Sequence, residues 1–115
     1  MAYIDGVMTP TKAGDRDAFI AAARKMAALF REYGATRVAD GWGSDVPNGK
    51  QTDMKRAVAA EPGEVVTFGW VEWPDKPTRD TAWAKLMADE RMKDMQMPFD
   101  GRRMIFGGFE LVSDA

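Results

Sequence analysis

The 115-residue chain contains no cysteine, no histidine and a single asparagine, Asn48. Without cysteine there are no disulfides, thiolate nucleophiles or zinc-finger sites. Without histidine there are no Ser-His-Asp triads and no imidazole metal ligands. No apolar run approaches the ~20 residues that would span a bilayer as a helix. The opening Met-Ala-Tyr-Ile-Asp-Gly has neither the basic region nor the apolar run of a signal peptide, so a cytoplasmic location is expected. Sixteen basic residues stand against eighteen acidic ones, a net charge of -2. The basic pairs Lys55-Arg56 and Arg102-Arg103 are isolated, so no phosphate-neutralising field forms and no nucleic-acid partner is expected.

What is present is the material of a globule. Hydrophobic residues make up 45% and charged residues 30% of the chain, enough for one domain over residues 1–115 with its own core. Tyr3 to Thr9 reads as a strand closed by Pro10 and a loop through Gly14. From Asp15 to Tyr33 the apolar residues recur every three or four positions: Phe19, Ala22, Ala23, Met26, Phe30 and Tyr33. That is an amphipathic helix, with Asp15 as its cap and Gly34 at its left-handed end. Thr36–Trp42 reads as a strand, followed by a polar loop through Gly49 and a short helix over Asp53–Ala59.

Glu64–Trp73, rich in β-branched and aromatic residues, is the strongest strand. Asp75 caps a helix to Ala88 with Ala82, Trp83 and Leu86 inward. Arg91–Met95 is a helical turn, and Arg103–Val112 is the last strand. This βαββαβ order is that of an α+β, ferredoxin-like antiparallel sheet with both long helices on one face.

Two of the strands are apolar on both sides. Val66, Phe68 and Trp70 alternate with Val65, Val71 and Trp73, and Met104 and Phe106 alternate with Ile105, Phe109 and Leu111. Two helices cover only one face. Burying ~600 Å² of the other would contribute about 15 kcal/mol before association costs. A homodimer packed sheet to sheet is expected, with cover by the 53–59 helix and its loop as the monomeric alternative.

The runs YGATRVADGWGSDVPNGK (33–50), VVTFGWVEWPDKPTRD (65–80) and MPFDGRRMIFGGFE (97–110) resemble the DUF1428 family of small bacterial proteins. The similarity covers almost the whole chain. It implies the dimeric α+β barrel fold, and it brings no established biochemical activity with it.

Several residues are candidates for chemistry. Asp5 lies within a strand, where a carboxylate needs a partner, and Arg37 or Arg103 is the expected one. Asp5 and Glu72 are weak catalytic candidates, and Glu110 resembles Glu72 in flanking aromatics. Trp42 and Trp70, with Arg37 and Arg103, are the candidate ligand-binding residues, since indoles can wall a pocket for a flat apolar ligand. Core and interface packing is the commoner use of tryptophan. Met92, Met95 and Met97 offer soft ligands for copper(I), but nine methionines in one chain argue for packing, and no metal or cofactor is expected. Asp45–Gly49 lacks the alternating ligands of a calcium loop, and the glycine pairs do not make GxGxxG. Gly107-Gly108 instead suggests close backbone approach or a bulge.

The expectation is therefore a homodimer binding a small ligand between helices and sheet. The alternatives are a cofactor-independent oxygenase or isomerase acting on an aromatic or quinone-like substrate, and a purely structural assembly subunit. In the oxygenase case Asp5 or Glu72 takes a proton and Arg37 or Arg103 steadies the anion.

Overall fold

The computed structural model describes residues 1–115. Strands β1 (Tyr3–Lys12), β2 (Arg37–Trp42), β3 (Glu64–Trp73) and β4 (Ile105–Glu110) form one antiparallel sheet in the order β2-β3-β1-β4. Helix α1 (Arg16–Glu32) joins β1 to β2, and α2 (Met54–Ala57) lies between β2 and β3. Helices α3 (Lys76–Ala88) and α4 (Glu90–Lys93) join β3 to β4. This is the ferredoxin-like α+β arrangement, with β1 and β3 central. No helix is long and apolar enough to cross a membrane.

Local chemistry accounts for most of the boundaries. Helix α1 ends in paired backbone bonds, Ala35 N–H to Phe30 O at 3.0 Å and Gly34 N–H to Arg31 O at 3.1 Å, with Gly34 at φ 113°. Only glycine takes that angle without strain. Asp75 caps α3 by accepting from Thr78 N–H at 2.8 Å, and Asp53 and Asp89 cap α2 and α4 in the same way.

Three expectations need correction, and one pair of alternatives is decided. Pro10 does not end β1, which continues to Lys12. Ala13 N–H bonds Gly63 O, so by strand alternation the Pro10 nitrogen points toward β4. β4 stops at Ile105, opposite Met8, so the missing N–H costs no ladder bond. Asp15 makes no capping hydrogen bond, because a 3-10 turn over Ala13–Asp15 precedes α1 and holds it at φ -98°, ψ 19° rather than in the extended form that aims a cap. Arg103 lies outside β4, in the turn that leads into it. Gly107 and Gly108 sit in regular register with no bulge. Close approach, the other alternative, holds at Gly108, where a Cβ would collide with the Tyr3 hydroxyl and come within 2.9 Å of Arg79 Nη2, while one on Gly107 would meet only the Phe109 ring at 3.4 Å.

Both long helices pack on one face. Leu29 and Phe30 of α1 and Ala82 and Leu86 of α3 share a core with Tyr3, Val71 and Trp73. Trp73 and Leu86 are fully enclosed, and the Phe30 ring meets Trp73 and Trp83 edge-on at 6.1 and 5.5 Å. The opposite face is divided. At one end Val66, Pro10 and the nearby Val58 are buried, and α2 packs on β3. At the other end Phe68, Ile105 and Phe109 stay 43%, 40% and 61% exposed. The loop and short helix thus cover part of this face and leave an apolar patch bare.

Candidate functional site

Between the helices and the sheet lies a cavity of about 360 Å³ whose 21 lining residues include 15 hydrophobic ones. Helix α1 contributes Phe19, Ala23 and Met26, and the segment after α3 contributes Met92, Met95 and Met97. Thr9 and Thr67 stand in the floor, but their hydroxyls bond one another, so that edge is internally satisfied. Among all the lining residues the ionisable ones are two, Asp5 and Asp40.

Asp5, on β1, is saturated. Arg79 of α3 reaches it with Nη2 at 2.6 Å and Nε at 3.1 Å, Trp73 Nε1 donates at 2.9 Å and Trp83 Nε1 at 3.0 Å. Burial alone would raise its pKa. The bonds from Arg79, Trp83 and Trp73 outweigh burial and hold the carboxyl below its ordinary value. The Arg79 guanidinium also lies over the Tyr3 ring, 5.2 Å from its centroid. Such a carboxylate stays ionised and accepts a proton poorly.

Asp40, on β2, is the opposite case. Its carboxylate makes no hydrogen bond and no ion pair to any group of the chain. Its neighbour across the ladder is Gly69, and a Cβ there would collide with Asp40 Oδ1. The bare α-carbon of Gly69 is therefore the seat on which the carboxylate rests. Asp40 lines the cavity but is exposed overall, with water reaching its carboxylate on one side and the sheet and cavity wall partly burying the other. That burial pushes its pKa up, and no charged neighbour opposes the shift.

The other residues singled out by sequence lie elsewhere. Arg37 and Glu72 face each other across β2 and β3 on the bare side of the sheet, 3.9 Å apart. The Arg37 guanidinium lies 5.8 Å from the Trp70 ring centroid, and Trp70 Nε1 donates to Glu72 at 3.0 Å. Trp70 touches the cavity but belongs mainly to that outer cluster, with Phe68 at 5.9 Å between ring centroids. Trp42 packs on Phe19 with ring centroids 5.6 Å apart, backing the cavity wall rather than lining it.

Arg103 does not approach Asp5. Its fork grips Glu64 at 2.6 and 2.9 Å, its Nη1 reaches Ala59 O at 3.0 Å, and Asp100 accepts from its Nε. The Arg103 hydrogen bonds, with a backbone bond from Glu61, bring the Glu64 carboxyl down to about 2. Glu110 is exposed at the end of β4.

Sequence reasoning passed over Arg79 and Asp40. A signal existed for each. Arg79 precedes Trp83 by four residues on the helix face that includes Leu86. Asp40 shares with Trp42 the side of β2 that alternation turns toward the helices.

These features define a small α+β protein with a helix-roofed apolar cavity, and comparison with known proteins gives its family and agrees on its fold. The family described as "Protein of unknown function (DUF1428)" matches residues 2–101. The uncharacterized protein YbaA of Escherichia coli K12 is 50% identical over 116 residues, covering 99% of each chain, and YbaA of Shigella flexneri is equally similar. The chain belongs to the DUF1428 family.

In fold it is similar to a dimeric ferredoxin-like protein from an uncultured marine organism, with a TM-score of 0.62 at 10% identity over the whole of both chains. It is also similar to SnoaB, a cofactor-independent oxygenase from Streptomyces nogalater, with a TM-score of 0.58 at 14% identity over 97% of this chain and 95% of that one.

Proposed function

We propose that this protein is a homodimeric, cytoplasmic binder of a small apolar ligand, held in the cavity between the helices and the sheet. The cavity carries the proposal. Its size suits a molecule of drug-like dimensions, and its wall is mostly hydrocarbon and thioether. A purely structural subunit has no use for such a hollow. The bare patch around Phe68, Ile105 and Phe109 supports pairing of two copies sheet to sheet, and the dimeric ferredoxin-like neighbour supports it further.

Binding is favoured over the oxygenase or isomerase reading. Arg37 and Arg103 stand away from the cavity, and Asp5 is tied to Arg79, so the residues assigned to proton transfer and anion stabilisation do not converge.

The neutral dye Nile red tests both halves. It should bind saturably, one per chain, and Ala23→Trp, which fills the cavity from α1, should weaken it at least tenfold. Phe109→Glu, on the outer face, should turn a dimer into a monomer by light scattering while keeping the dye. Equal dye affinity in Ala23→Trp defeats the cavity, and a monomeric wild type at low micromolar concentration defeats the dimer.

A further inference from the structure

The cavity wall is chemically one-sided. It carries two carboxylates and no lysine or arginine. One of the two, Asp5, is neutralised by Arg79, which leaves Asp40 as the one wall side chain with a charge and no partner. Two residues along β2, on the same side, Trp42 packs against Phe19, which itself lines the cavity. Aromatic faces attract cations, and thioether sulfurs are soft and polarisable. Met26, Met92, Met95 and Met97 surround the hollow with such sulfurs. An anionic ligand would meet an uncompensated carboxylate and find no counter-ion. A neutral ligand would leave the carboxylate without a charged partner. A cation with an apolar body suits every part of the wall at once, and its charge is attracted to the Asp40 carboxylate.

We infer that the natural ligand is a lipophilic organic cation, a largely apolar molecule with one positively charged nitrogen, and that Asp40 seated on Gly69 is its counter-ion. The inference rests on the binding role proposed above and adds the ligand's charge. Its physical basis is the unequal treatment of the two carboxylates. Arg79 and two indoles already occupy Asp5, whereas Asp40 lines the cavity with no partner from the chain.

Three fluorescent probes of similar size separate the possibilities: berberine as the cation, Nile red as the neutral reference and 1-anilinonaphthalene-8-sulfonate as the anion. In wild type, berberine should bind more tightly than the anion. In Asp40→Asn the ratio of berberine to Nile red affinity should fall at least tenfold, and Asp40→Glu, which keeps the charge, should restore most of it. Nile red binding also reports that each variant retains its cavity. If Nile red binds and the berberine ratio is the same in Asp40→Asn, the counter-ion assignment is overturned while the binding role stands. Tighter binding of the anion than of berberine in wild type overturns it too. If none of the three probes binds, the binding role falls and takes this inference with it.

Discussion

The two ends of the cavity hold the same residue type under opposite conditions. Asp5 on the central strand β1 and Asp40 on the edge strand β2 both face the helices, by strand alternation. Above Asp5, α3 delivers Arg79 and Trp83, and β3 adds Trp73, so the carboxylate receives a cation and two indole donors. At the β2 side, α1 lines the cavity with Phe19, Ala23 and Met26, none of which can donate a hydrogen bond. The pKa values move in opposite directions for that reason, down at Asp5 and up at Asp40. The same residue type in one sheet is thus ion-paired or left unpaired according to what packs against it.

The contrast can be broken most severely at the Asp5 end. Arg79→Met keeps much of the side-chain volume but leaves Asp5, 13% exposed, without its cation. Removing one partner of a largely buried ion pair should cost about 3 kcal/mol, read as a lower urea midpoint at unchanged slope. A loss below about 1 kcal/mol would mean that Trp73 and Trp83 suffice by themselves, and the two ends would differ less than their geometry says.

Gly69→Ala acts at the other end. The new Cβ collides with Asp40 Oδ1 and lies 3.3 Å from Ala39 O, so the carboxylate must leave its seat. Because Asp40 is exposed its carboxylate can swing aside, so the stability cost should stay below about 1 kcal/mol while the preference of the cavity for berberine weakens. Unchanged probe selectivity would show that Asp40 does not depend on the glycine.

Asp40→Asn should have the smallest effect on stability, and with the unusual sign. A carboxyl whose folded pKa is raised penalises the folded state above that pKa, and the penalty disappears below its unfolded value. The amide should therefore raise Tm slightly near pH 7, and the gain should shrink to nothing as pH falls below the ordinary carboxylate range. Asp5→Asn should do the reverse, because a depressed folded pKa contributes stability above the unfolded value that is lost as pH falls. Thermal melts of both variants across pH check the two signs together. Destabilisation by Asp40→Asn at neutral pH would reveal a partner for that carboxylate.

Much of the fold was legible from near neighbours in the chain. The apolar period of Phe19, Ala22, Met26 and Phe30 marked α1, and Gly34 marked its end. The β-branched and aromatic run of β3 gave bounds that match the structure, Glu64–Trp73. Pro10 misled because the harm a proline does in a strand depends on which neighbour its nitrogen faces, and that follows from where β4 stops. The same holds for Arg103. Apolar alternation suggested a strand position, but Asp100 three residues earlier and Glu64 on another strand hold it in the turn.

The site was less legible than the fold. Asp5 was visible as a carboxylate in need of a partner, yet its partner stands 74 residues away on a helix, closer in space than any residue chosen from the strands. Glu72 and Arg37 looked equivalent to site residues until strand parity turned them outward.

The amino-acid sequence alone determined the order of strands and helices, the Asp75 cap and Gly34 terminus, and the surplus of apolar surface, because periodicity and capping act within a few residues. Only the tertiary structure decided that Asp5 is ion-paired and Asp40 is not. A side chain's charge state depends on what packs against it, and here the deciding neighbours are Arg79 from a distant helix and the missing side chain of Gly69 on the adjacent strand.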